Sequence, residues 1–331
     1  MKIEISELQK LVERSLTSTY YSEQQASQIS EVLLYAETSG KNTQGIVKLL
    51  GSSPIQNIKP QYEPKVLKET KLSVLLDGGG NPGILISRIA TGKVIEKCQK
   101  NGFGIVGTNN TFSSTGVIGF YAREIAKNDF IGIVMSGSPG GVAPYGSLDP
   151  LLGTNPVAFG FPTEGEPLVF DMATAAITWY GLVKAKMLGQ KLPEGVAMDK
   201  EGNPTIDPAS ALDGAIYPFG KNYKSSGLST MIEIFTGPLV GAAFCSFEGD
   251  WGNLFIAMDP ELLVDREGFK KHSSELIKKI KSSRLDPEVK EIHIPGEKSL
   301  ENLEKAEQTG EVEIEDKMYE ELLVKAGEKN E

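Results

Sequence analysis

Histidine is almost missing from this chain: His272 and His293 are the only two in 331 residues. Cysteine is as scarce, with Cys98 and Cys245 alone. A transition-metal centre gathers several imidazole or thiolate ligands, so that class of function is not expected and no metal site is assigned. The two cysteines sit among apolar or small residues and read as buried, reduced thiols rather than a disulfide or a nucleophile. No apolar run reaches the roughly 18 residues that span a bilayer. The opening stretch MKIEISELQKLVERS has neither the apolar region nor the cleavage site of a signal peptide. Positive charge is in deficit, with 34 Lys and Arg against 44 Asp and Glu, a net charge of −10. A general nucleic-acid binder needs excess cation against phosphate and is disfavoured. An anionic small ligand is not, because it feels only the field of its own pocket. These absences point to a cytoplasmic protein without a nucleic-acid or membrane partner.

What is present is an ordinary globular composition, 40% hydrophobic and 24% charged. ISELQKLVERSL places Ile5, Leu8, Leu11, Val12 and Leu16 on one helical face. The next helix opens on Ser22 with Gln25 three residues later, a capping-box spacing, and closes on Gly40. SGKNTQGIVK (39–48) then forms a polar loop between two apolar runs. Residues 52–70 hold three prolines and read as an extended connector. LSVLLDGGGNPG is a strand and a glycine turn, followed by the helix ILISRIATGKVIEKCQKNG. Beyond residue 103 short apolar runs alternate with Gly, Asn and Pro: FGIVGTNN, FIGIVMSGSP, PVAFGFPT and EPLVFDMAT read as strands. WYGLVKAKMLGQ reads as a helix and SSGLSTMIEIFTGPLVGAAF as a buried one rich in small residues. The tail from 260 is charged and helical. VKEIHIPGE, which contains His293, alternates like a short strand, and His272 lies in a Lys-rich helical surface.

Glycine-rich loops expose backbone N–H groups that can cradle anions. DGGGNPG follows a strand and precedes a helix, yet it lacks the G-x-G-x-x-G spacing and the acid about 20 residues on that mark a dinucleotide fingerprint. A plain turn describes it better. GTNNTFSSTG and GSLDPLLGTNP each set Asn and Thr beside Gly at a strand end. That pattern suits a ligand-binding loop or simple turn chemistry. Lys221 and Lys224 precede or open a helix, where a cation could meet an anion or merely be solvated.

In order and together, GVAPYGSLDPLLGTNPVAFGFP, VFDMAT, LPEGVAMDKEGNPTIDP and VKEIHIPGE resemble the malate/L-lactate dehydrogenase family along the whole chain. That family includes sulfolactate and ureidoglycolate dehydrogenases, diketogulonate reductase and piperideine/pyrroline-2-carboxylate reductases. The resemblance implies an α/β protein whose β-rich NAD(P)-binding domain is not a Rossmann fold, here residues 71–259. A helical domain would come from both chain ends, 1–70 with the substrate loop and 260–331 packed on it. It implies an oxidoreductase using NADPH or NADH on a small carboxylate or imine, usually as a homodimer. By motif matching, Ser113, Gly153, Thr154, Asn155, Asp171, Ala173, Thr174 and Lys224 would lie along the cofactor.

The family's substrate loop reads Ser-His-Gly, with an Arg three residues after the Gly and then a Tyr. The His is the general acid and the Arg grips the substrate carboxylate. Here the loop reads Thr43-Gln44-Gly45, with Lys48 at the Arg position and Ser52 near the Tyr. A second family His falls at about Ser114, and the acid that pairs with the catalytic His matches Asp199. Thr43, Lys48 and Ser114 are therefore the expected substrate contacts, and Gln44, Lys48 and Asp199 the expected catalytic set. An amide cannot release a proton at neutral pH, and a general acid is typically worth about 10²–10⁴-fold. Three readings follow. The first is reduction of a C=N bond, since an iminium arrives already protonated. The second is carbonyl reduction with Tyr145, Tyr223 or Lys48 as substitute acid. The third is a non-catalytic paralogue that binds a nucleotide or a partner.

Overall fold

The computed structural model describes residues 1–50, 54–246 and 249–328; Ser52 lies outside them. A short strand, β1 (Lys2–Glu4), runs straight into α1 (Ile5–Thr17). On α1 the predicted face is buried at Leu8, Leu11, Val12 and Leu16, with Ile5 packed at its edge. Helix α2 (Glu23–Thr38) begins with the predicted capping box: Ser22 accepts from the Gln25 N–H and Gln25 accepts from the Ser22 N–H. Strands β2 (Lys65–Glu69) and β3 (Ser73–Asp77) pair antiparallel, so the end of the expected connector is a sheet edge.

From there the chain alternates through α3 (Gly83–Asn101), β4 (Phe103–Thr111), α4 (Ile118–Lys127), β5 (Ile131–Ser136), β6 (Val157–Phe161), β7 (Leu168–Met172) and α5 (Trp179–Leu188). A small sheet follows, made of β8 (Ala197–Met198), β9 (Pro204–Thr205) and, after α6 (Pro208–Asp213), β10 (Ala215–Ile216). Then come α7 (Tyr223–Thr236), β11 (Trp251–Met258), α8 (Arg266–Lys281), α9 (Glu297–Thr309), β12 (Glu311–Glu313) and α10 (Asp316–Lys325).

Among the described residues seven strands form one sheet in the order β2-β3-β4-β11-β5-β6-β7. Only β3 and β4 run parallel within it; every other neighbouring pair is antiparallel. A dinucleotide-binding sheet of Rossmann type is mostly parallel, so the sheet here is of another kind. One face is covered by α3 and α4, whose Ile84, Val94, Tyr121 and Ile125 share a core with Val106, Val134 and Phe255. That same core continues into the chain ends through Leu8, Leu33, Met318 and Leu322. The opposite face carries a smaller cluster of Val240, Ala242 and Leu254. The ends are stitched together where β1 pairs antiparallel with β12, Ile3 opposite Val312.

The structure corrects three local expectations. Residues 287–296 form no strand; Pro295 and the left-handed Gly296 turn the chain into α9, and no neighbouring strand offers hydrogen bonds there. Helix α7 stops at Thr236, before Gly237 and Pro238, and leaves Leu228, Met231, Ile234 and Phe235 exposed rather than buried. Cys98 is buried but Cys245 is exposed. Burial pushes the Cys98 thiol up to about 12 and raises Cys245 as well, so neither is an activated nucleophile. No described helix is long and apolar enough to cross a membrane.

The seam between the chain ends is testable. Leu322 is fully buried among residues of both ends. Leu322→Ala should cost about 2–5 kcal/mol, read as a lower urea midpoint with unchanged slope. An unshifted midpoint would mean the C-terminal helix adds nothing to the fold.

Candidate active site

The loop after α2 is two tight turns, Asn42–Gln44 and Ile46–Leu49, joined by Gly45. The Gln44 N–H closes on the Lys41 carbonyl at 2.7 Å, and the Lys48 N–H on the Gly45 carbonyl at 3.0 Å. Ile46, Val47 and Leu49 are completely buried, which anchors the turns in the main core. Gln44 and Lys48 are thereby directed into a cavity of about 390 Å³.

The opposite wall comes from the sheet domain. Ser113 to Gly116 and Ile118 lead into the first turn of α4, and Thr178 to Tyr180 form the first turn of α5. The Thr178 side chain caps α5 by accepting from the Gly181 N–H at 3.0 Å. Two helix N-termini thus meet at one cavity, a field that favours a negatively charged ligand. The segment Gly137-Ser138-Pro139-Gly140-Gly141 lines a further side and lets a ligand approach the backbone closely. Ser138 accepts from the Thr154 N–H at 2.9 Å, which places Thr154 on the wall. Trp251 also lines this wall, and its indole N–H is buried with no hydrogen-bond partner among the described residues. Among the described residues no Asp, Glu or His lines the cavity.

Lys48 is its only cation, with 2% of its surface exposed and no ion pair among the described residues. The Nζ sits 3.3 Å from the centre of the Tyr180 ring. The ring face stabilises a cation, while burial drives the amine well below its usual range. Burial pushes the Tyr180 phenol up to about 12, and the Ser113 hydroxyl opposes that rise.

Of the residues singled out in the sequence, the cavity therefore brings together Gln44, Lys48, Ser113, Ser114 and Thr154. Thr43 lies in the same turn but not on the wall. Asn155 faces the other way. It is fully buried and donates to Glu233 at 2.6 Å and to Ser229, tying β6 to α7. Gly153 is packed against it, since a Cβ there would lie 2.5 Å from the Asn155 Oδ1. Thr174 donates to the Thr154 and Asn155 carbonyls, both at 3.1 Å, and so braces the wall from behind; Ala173 is half-buried beside it.

Asp171 opens on a second cavity of about 420 Å³, beyond the first turn of α4 and between β7 and α9. There it accepts from the Gly119 N–H at 3.1 Å, and burial raises its carboxyl against the pull of Lys41. Lys224 is exposed on the first turn of α7 and lines neither cavity. Asp199 sits in the turn between β8 and β9, accepting from the N–H groups of Glu201 and Asn203, and is absent from both walls. Tyr180, Trp179 and Trp251 are wall residues that the sequence reading missed. The one available signal was an aromatic pair directly after a Thr able to cap a helix.

With this geometry established, comparison with known proteins adds the following. The family model described as malate/L-lactate dehydrogenase matches residues 3–323. A malate/(S)-sulfolactate dehydrogenase of Methanothermus fervidus is 36% identical, covering 100% of this chain and 98% of its own length. A Delta(1)-pyrroline-2-carboxylate/Delta(1)-piperideine-2-carboxylate reductase of Pseudomonas putida is 29% identical over 94% of this chain and 93% of its own. Among solved structures, the sulfolactate dehydrogenase of Methanocaldococcus jannaschii superposes with a TM-score of 0.84 at 31% identity, over 99% of this chain and 97% of that one.

An unpaired buried amine opposes folding, so Lys48 sets ligand binding against stability. Lys48→Met should keep or raise the melting temperature while abolishing binding of small carboxylates. In the wild type the folded amine loses its proton below 10.5 whereas the unfolded one keeps it, so the unfolded state binds more protons in that window. Raising the pH from about 8 towards 10 should therefore stabilise the wild type relative to Lys48→Met. Parallel pH profiles for the two proteins would show that Lys48 is not held neutral.

Proposed function

The chain belongs to the malate/L-lactate dehydrogenase family, and from that premise we propose that it reduces the C=N bond of a small cyclic 2-imino acid with a nicotinamide cofactor. The observation that carries the reading is the cavity wall, on which Gln44 stands where a proton donor is expected and no Asp, Glu or His is found among the described residues. An iminium already bears its proton, so no residue has to deliver one. Lys48 meets the substrate carboxylate, taking up a proton as it does so, because an anion stabilises the ammonium form. The faces of Tyr180, Trp179 and Trp251 suit a cationic ring nitrogen. Asp199, which the sequence places in the catalytic set, lines neither cavity.

The donor set also fits the cofactor. The N-termini of α4 and α5 and the backbone of 137–141 suit phosphate oxygens, and the hydroxyls of Ser113, Ser138 and Thr154 suit ribose or amide groups. When bound, the nicotinamide supplies the hydride. The choice between NADPH and NADH is left to measurement.

One observation favours a second reading, reduction of a 2-oxo acid with Lys48 as the acid. Tyr145 and Tyr223 are 60% and 68% exposed and line neither cavity, which leaves Lys48 as the substitute acid named from the sequence that reaches the site. The sulfolactate relatives are also the more similar ones. Against it, burial pulls the amine towards its neutral form, which has no proton to give. A non-catalytic, nucleotide-binding role is the third reading. A homodimer is proposed as well, supported by the exposed Leu228, Met231, Ile234 and Phe235 of α7, which a second copy would cover.

Calorimetry should find micromolar binding of NADPH or NADH; no binding at millimolar concentration ends every redox reading. Steady-state assays should show Δ1-piperideine-2-carboxylate reduced at least about 10²-fold more efficiently than pyruvate or oxaloacetate. Gln44→His should raise only the oxo-acid rates. Equal efficiency on both substrate classes in the wild type would overturn the imine assignment, and cofactor binding without turnover of either would favour the third reading. Sedimentation velocity should return a dimer that Met231→Glu with Phe235→Glu dissociates.

A further inference from the structure

Directly behind the substrate loop lies a carboxyl that none of the preceding chemistry uses. Glu37, in the last turn of α2, is 4% exposed. Its Oε1 accepts the Ile46 N–H at 2.7 Å, the single hydrogen bond described for this side chain. Gly45 packs onto the same group: a Cβ there would come within 2.1 Å of the Glu37 Oε1. Any other residue at 45 would therefore displace either the loop or the carboxyl. No cation forms an ion pair with Glu37 among the described residues, although Lys184 of α5 acts on it from further away. Burial accordingly raises the carboxyl to about 7.

A buried acid with one N–H partner costs stability that an apolar side chain of similar shape would not. What the acid supplies is a fixed point. The residues it holds, Gly45 and Ile46, lie between Gln44 and Lys48, the two loop side chains on the cavity wall. The Gly45 carbonyl is also the acceptor that closes the turn carrying Lys48, at 3.0 Å. A shift of Gly45 is thus passed to both side chains.

We propose that Glu37 is a positioning residue: through the Ile46 N–H and the packed α-carbon of Gly45, it sets where Gln44 and Lys48 meet the substrate. The inference rests on the proposed function for the identity of that ligand. The contact itself does not.

Three variants test it. Glu37→Gln keeps an acceptor of the same shape, Glu37→Met keeps the bulk without the acceptor, and Gly45→Ala pushes the carboxyl away from the loop side. Because the loop loses its buried anchor, Glu37→Met and Gly45→Ala should each raise the KM for the imino acid roughly tenfold or more. Both should leave the dissociation constant of the nicotinamide cofactor unchanged. Glu37→Gln should restore the wild-type KM. Hydrogen exchange at the Ile46 amide should quicken in Glu37→Met and Gly45→Ala and stay slow in Glu37→Gln. Because Gly45→Ala alters only a loop, it carries the test if Glu37→Met does not fold. Native KM and native Ile46 exchange in Gly45→Ala would overturn the proposal. If the wild type turns over nothing, the proposed function fails, and the exchange measurement still decides the role of Glu37.

Discussion

The contact of Lys48 with the Tyr180 ring is where the two halves of the molecule meet. Lys48 comes from the N-terminal helical segment and Tyr180 from the first turn of α5, beyond the sheet. Neither half holds the cavity alone. The amine can be placed over the ring only if Ile46, Val47 and Leu49 are seated in the core shared by both. That core is in turn closed by Met318 and Leu322 of α10, with β1 and β12 pairing the chain ends. Docking of the termini and formation of the site are therefore one event, driven mainly by apolar burial.

The same seam concentrates the chain's least comfortable groups. Among the described residues, a buried amine without a counter-ion and a buried carboxyl with a single N–H partner flank one loop. Burial pushes each towards its neutral form, the amine downward and the acid upward. Such groups lower stability and are commonly kept where they serve a ligand. Glu37 braces the loop from behind while Lys48 faces the cavity, so the two strains have different uses.

Much of this architecture was readable from residue patterns. The apolar face of α1, the Ser22–Gln25 cap and the alternating strands of the sheet follow from period and turn chemistry alone. The site was legible only in part, because a motif gives position along the chain and not side-chain direction. Thr154 and Asn155 are neighbours, yet one lines the cavity and the other is turned onto α7. Asp171 and Thr174 belong to one short motif but face a second cavity and the back of the wall respectively. Tyr180 escaped notice since its segment reads simply as a helix, and what matters is that its first turn ends at the cavity. The alternating residues around His293 failed as a strand for a different reason: alternation is necessary, but a strand also needs a partner edge.

The chemistry of the wall then narrows what the protein can do. A carbonyl becomes an alkoxide as hydride arrives, and that charge calls for a proton or strong preorganised donors. The wall offers an amide, a phenol raised to about 12, several hydroxyls and an amine biased towards neutrality. The amide, the phenol and the hydroxyls cannot release a proton at neutral pH, and the lowered amine is the one group shifted towards it. An iminium makes the opposite demand, since its charge disappears on reduction and neutral, aromatic surroundings favour that loss. The aromatic part of the wall meets that demand, while the helix N-termini and Lys48 suit the substrate carboxylate. Gln44 on the same wall can donate a hydrogen bond to a developing charge but has no proton to release at neutral pH.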